Sequence, residues 1–100
     1  MELKELEARM HDFVAGKGWY APDSPRQQSP RNLAASLAIE AAEVLEHFQW
    51  RDEPANLDEL AAELADVALY LLQLASISGI DLEQAILDKL AYNQDREWDT

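Results

Sequence analysis

Residues 57–77 carry Leu60, Leu64, Val67, Leu69, Leu71, Leu72 and Leu74 around a helical wheel, yet gather Glu59, Glu63, Asp66, Tyr70 and Gln73 into one strip about 80° wide. A helix apolar nearly all round is expected to be surrounded by protein, and so narrow a polar strip must face something that tolerates charge. The remaining punctuation also marks helices. A first helix is expected over 2–14, with Leu3, Leu6, Met10, Phe13 and Val14 at helical spacing and glycines behind it. Ser29-Pro30 opens a second, to residue 49 or 50. Asn56 followed by Glu59 opens the third, over 57–77, and Gly79 stops it. Asp81 followed by Gln84 opens the fourth, over 82–98. Residues 19–29, with two prolines and no periodicity, read as a connector whose Trp19 and Tyr20 cover the edge of the core. Few residues favour strands and the connections are short, so the expected fold is an all-α four-helix bundle in one domain, 1–100.

Helix two repeats the anomaly of helix three. With Leu33, Leu37, Val44 and Phe48 defining its core side, Glu40 falls inside that side and Glu43 at its edge. Three residues apart, Glu40 and Glu43 are neighbours, and so are Glu63 and Asp66. On helix four, Leu82, Ala85 and Ile86 mark the inner side, and Lys89, Asn93 and Arg96 lie on it. Four carboxylates on inward faces need compensation, because an isolated buried carboxylate costs several kcal/mol or more. They can take up protons, pair with Lys89 and Arg96, or hold metal. Oxygen donors without His or Cys suit Mg²⁺, or Mn²⁺ in its place, rather than zinc. A metal beside Lys, Asn and Arg is a chemistry suited to phosphate.

Charge and composition close other routes. A net charge of −12 argues against nucleic acid or an anionic membrane as partner. The absence of cysteine excludes disulfides, thiolate metal sites and a Cys nucleophile. No serine sits in a nucleophile elbow, three glycines make no phosphate loop, and neither His11 nor His47 has an evident partner. The first residues lack the features of a signal peptide, and the strongly apolar run 67–75 is too short to span a bilayer, so the expected location is cytoplasmic.

Glu40-x-x-Glu43, Glu63-x-x-Asp66 and Lys89-x-x-x-Asn93 together resemble the MazG-like all-α nucleoside triphosphate pyrophosphatases. Pro30-Arg31-Asn32-Leu33, the segment Glu43 to Trp50 with its Phe-Gln-Trp end, and Glu63 to Tyr70 are similar to the dCTP pyrophosphatase branch, and the likeness covers 19–98. A departure is Gln28, where some relatives of that branch carry His. The resemblance implies a MazG-like bundle assembling as a homodimer or homotetramer. It implies Mg²⁺-dependent conversion of a (d)NTP, dCTP or a modified dCTP-like nucleotide, to (d)NMP and pyrophosphate, as house-cleaning of the nucleotide pool. Glu40, Glu43, Glu63 and Asp66 would be catalytic metal ligands. Lys89, Asn93 and Arg96 would contact phosphates. Trp19, Phe48, Trp50 and Tyr70 would enclose base and sugar, with Arg31 and Asn32 also touching the nucleotide. Base selectivity would then reside in aromatic stacking. The rival reading is a non-catalytic helical assembly or nucleotide-binding module, which has no need of the Lys89/Asn93/Arg96 strip.

Overall fold

Helices begin in this chain where a short polar side chain can satisfy the free N–H groups of a first turn. The computed structural model describes residues 1–97, in which α1 spans Leu3–Gly16, α2 Pro30–Glu46, α3 Leu57–Ile77 and α4 Leu82–Asp95. No strand occurs among the described residues. Ser29 Oγ accepts from the Asn32 N–H at 3.2 Å, ahead of Pro30 in the first position of α2. Asn56 Oδ1 accepts from the N–H groups of Asp58 and Glu59 at 2.9 and 3.1 Å and so starts α3. Asp81 Oδ1 does the same for α4 through the Gln84 N–H at 3.2 Å. Gly79 adopts φ +76° after α3, letting the Ile80 N–H reach back to the Ala75 carbonyl at 2.8 Å.

Two helix ends fall earlier than the sequence suggests. The N–H groups of His47 and Phe48 turn to the carbonyls three residues back, at 3.2 and 3.0 Å, so α2 tightens and stops at Glu46 rather than at 49 or 50. Helix α4 stops at Asp95, and Trp98, the end expected for it, lies outside the described residues.

Helix α3 is the hub. It packs along α2 and, less extensively, against α1 and α4. Met10 and Val14 of α1 and Leu72 of α3 form the buried cluster, and Leu3, Trp19 and Leu82 close over it. Leu33 of α2 is buried to 2% exposure. The expectation that α3 is wrapped on all sides is not met within one chain: Leu64, Leu69 and Leu71 remain exposed. The reason is α4. Leu82 joins the core, but no residue of α4 is buried, and Ile86, Leu87, Leu90 and Tyr92 face outward. The inner side expected for α4 is therefore covered only in part: Leu82, Asn93 and Arg96 are half-buried, while Ala85, Ile86 and Lys89 are exposed. The radius of gyration is 16.1 Å, against about 13 Å for a compact chain of this length. Over an 18-residue stretch of the helix, rather than the unbroken run 67–75, α3 has a mean hydropathy of 1.5. By length and composition alone this helix could cross a membrane, a test that the core helix of a globular bundle also passes.

Since α3 carries the contacts of the other three, its start matters. Asn56→Ala leaves two N–H groups without their side-chain acceptor, which costs about 1 kcal/mol. A melting temperature lower by about 4–8 °C is expected for a chain of this size, measured by circular dichroism.

Candidate active site

The paired acidic residues of α2 and α3 meet where these two helices pack. Glu40 is half-buried and is held above the ordinary glutamate value of 4.5 by desolvation first. When protonated it can donate to the Glu43 carboxylate, which raises it further. The charges of Glu43, Asp66 and Glu63 add to the same direction. One carboxyl thus senses the other three members of the expected set, and the four form an electrostatic cluster.

A cavity lies on each side of this cluster. The larger, of about 510 Å³, is lined by Asp66 and by Trp19, Asn32 and Tyr70, all four singled out from sequence. Its volume lies in the range that takes a small-molecule ligand. The smaller, of about 210 Å³, is lined by Glu43, Glu63, Glu46, His47 and Arg51. The connector makes much of the larger wall. Trp19 meets Phe13 edge to face, with ring centroids 5.8 Å apart, and the Arg26 guanidinium stacks over Trp19 at 5.1 Å. Of the connector aromatics, Trp19 closes over the core cluster and also walls the cavity, whereas Tyr20 is exposed and bonds His11 and Gln73.

Six of the expected site residues stand elsewhere. Arg31 is exposed at the start of α2, and Phe48 and Trp50 lie beyond its end, Trp50 being 87% exposed. Lys89, Asn93 and Arg96 are on α4, where the Lys89 ammonium and Arg96 guanidinium flank the Tyr92 ring at 4.7 and 5.7 Å. None of these six lines either cavity.

Other residues enter that sequence reasoning left out. Arg9 and Arg26 supply the positive charge of the larger cavity. Arg9 shares a helical face with Leu6, Met10 and Phe13, so the signal that exposed Glu40, a charge on an apolar face, was available for it too. Both histidines have partners. His47 Nε2 lies 2.6 Å from Glu63 Oε2. His11 bonds the Tyr20 hydroxyl through Nδ1 at 2.6 Å and Ser76 Oγ through Nε2 at 2.7 Å. Gln73, on the polar strip of α3, is 3% exposed at the cavity wall, and its amide donates to Tyr20 and to Gln28. Burial pushes the Tyr20 hydroxyl above the usual phenol range, and its hydrogen bond with Gln73 partly offsets this.

The donor set of the cluster is that of a hard divalent cation: carboxylate oxygens on two rigid helices, with no thiolate nearby. Among the described residues no three Asp, Glu or His side chains already converge as the ligands of one ion, and Glu63 is engaged by His47.

Comparison with known proteins adds a second line of observation. The model of the MazG-like family matches residues 35–99. Mouse dCTP pyrophosphatase 1 is 34% identical over 103 aligned residues, 94% of this chain and 58% of the mouse protein, and the human protein gives the same figures. A dATP/dGTP diphosphohydrolase of cyanophage S-2L is 32% identical over 80 residues, 80% of this chain and 68% of that protein. The crystal structure of a pyrophosphatase from Archaeoglobus fulgidus superposes with a TM-score of 0.79 at 32% identity, covering 92% of this chain and 88% of that one. The chain spans 58% of the length of the mammalian relatives.

The cluster makes the metal-free chain sensitive to pH in a defined direction. Glu40 binds its proton more tightly folded than unfolded, so its ionisation opposes folding. Stability on its account is greatest below 4.5 and falls as pH rises through its raised value. Glu40→Gln should therefore melt higher than wild type at pH 7 in EDTA, and the difference should shrink at pH 4.5. Paired melts at the two pH values measure this.

Proposed function

Since this chain belongs to the MazG-like family, whose model matches residues 35–99, we propose that it is a nucleotide pyrophosphohydrolase. It would convert a (d)NTP, with dCTP or a dCTP-like nucleotide preferred, to (d)NMP and pyrophosphate with Mg²⁺. The observation that supports this most is the four-carboxylate cluster placed beside a cavity of about 510 Å³ walled by aromatic and arginine side chains. The relatives named for pyrophosphatase activity agree with it.

In this reading Glu40, Glu43, Glu63 and Asp66 hold the cation, with Mn²⁺ as a substitute. When bound, Mg²⁺ neutralises triphosphate charge and favours attack on phosphorus. The residues of the chain do the rest. Trp19, Tyr70 and Asn32 enclose base and sugar in the larger cavity. Glu43, which lines the smaller one, orients a water and accepts its proton. Lys89, Asn93 and Arg96 contact phosphates. They line neither cavity of their own chain, so the reading includes a homodimer or higher assembly. The outward apolar residues of α4, with Leu64 and Leu71 of α3, form its interface. Phe48, Trp50 and Arg31, at the two ends of α2, complete the nucleotide site in that assembly. The role is house-cleaning of a cytoplasmic nucleotide pool.

Two measurements test this. Asp66→Asn keeps the shape of a cavity-lining residue and removes one hard oxygen anion. Pyrophosphate release from dCTP should fall at least about 10²-fold, while stability in EDTA is unchanged or higher. A variant that keeps wild-type turnover removes Asp66 from the ligand set. Light scattering at micromolar concentration should give a dimer or tetramer, and a monodisperse monomer contradicts the assembly.

A further inference from the structure

The wall of the larger cavity holds a polar relay whose direction is set by one backbone carbonyl. The carbonyl of Arg26 can only accept, so the Gln28 amide must present its NH₂ group to it, at 2.7 Å. That turns Gln28 Oε1 toward Gln73, which donates to it through Nε2 at 2.8 Å. The other Nε2 hydrogen of Gln73 goes to the Tyr20 hydroxyl at 3.3 Å. Tyr20 in turn lies 2.6 Å from His11 Nδ1, and a neutral His11 that accepts there donates from Nε2 to Ser76 at 2.7 Å. Both donors of Gln73 are therefore spent. Flipping the Gln73 amide would set its carbonyl oxygen against Gln28 Oε1, two acceptors face to face, so the relay fixes one orientation. The carbonyl oxygen of Gln73 makes no hydrogen bond among the described residues, and the side chain, 3% exposed, lines the cavity.

A fixed acceptor in an aromatic-walled cavity discriminates between ligand edges. An amino group meets it with a hydrogen bond, whereas a carbonyl sets two acceptors face to face and leaves both desolvated. Resting on the nucleotide reading above, we propose that Gln73 is a specificity-determining residue. It selects nucleotides whose base carries an exocyclic amino group, such as cytosine, over those with a carbonyl at the same position, such as uracil. Selection then resides in a hydrogen-bond acceptor, in addition to the aromatic stacking expected from sequence. Gln28 acts on it indirectly, as a positioning residue that holds the Gln73 amide in one orientation.

The test is a binding measurement, so that it does not depend on turnover. Affinities of the α,β-imido analogues of dCTP and dUTP are measured by calorimetry with Mg²⁺ for the wild type, Gln73→Leu and Gln28→Leu. The wild type should bind the dCTP analogue about tenfold to a hundredfold more tightly. Gln73→Leu should bring the two within about threefold, chiefly by weakening the dCTP analogue. Gln28→Leu, which leaves Gln73 in place but free to turn, should lower the ratio as well, and it decides the matter if Gln73→Leu fails to fold. Equal wild-type affinities, or a ratio that survives in Gln73→Leu, overturn the proposal. Selective binding of an unhydrolysed dCTP leaves the selection standing and removes the hydrolase reading instead. Failure of the wild type to bind either analogue removes both.

Discussion

Like charges set close together on two packed helices are the constraint on which the rest of this molecule depends. Glu40 lies on the side of α2 that meets α3, and Glu43, Glu63 and Asp66 all raise its proton affinity. In a chain whose total stability is expected to be about 5–15 kcal/mol, such repulsion is a substantial cost. The cost is tolerated because the seam is open rather than sealed. Asp66 borders one cavity, Glu43 and Glu63 border another, and His47 gives Glu63 a hydrogen-bond partner. Residues that a purely structural seam would make apolar are kept acidic, beside a cavity of a size suited to a small molecule.

The architecture serves that seam. Helix α3 presents one polar strip, whose members differ in burial: Glu59 and Asp66 are exposed, Glu63 and Tyr70 half-buried and Gln73 buried. The acidic end meets the cluster, and the amide end meets the connector through Tyr20 and Gln28. One helix thus connects the proposed metal chemistry to the proposed recognition of the base. Helix α4, with its basic residues and its outward apolar side, is turned away from both cavities of its own chain. In the proposed assembly, a second copy would bring this helix to the site.

Much of this is legible in the sequence, for a definite reason. A carboxylate on an apolar helical face violates a periodicity that can be read locally, so Glu40 and the strip on α3 stand out without any knowledge of contacts. The caps at Ser29, Asn56 and Asp81 are equally local, and the side chain of each bonds where its position suggests. What sequence does not reveal is long-range. The pairing of His47 with Glu63 spans 16 residues, and the links from Gln73 to Gln28 and Tyr20 span 45 and 53. The departure of α4 from the core is also invisible, because its Leu82, Ala85 and Ile86 have the spacing of a buried face whether that face is covered by the same chain or another.

Product analysis tests the central claim most directly. The purified protein is incubated with dCTP and Mg²⁺, and the phosphorus products are resolved by ³¹P NMR. Hydrolysis at the acidic seam predicts dCMP and pyrophosphate in equal amounts, with no reaction once EDTA removes the cation. Release of orthophosphate with dCDP, turnover that persists in EDTA, or no turnover of any nucleoside triphosphate would contradict it.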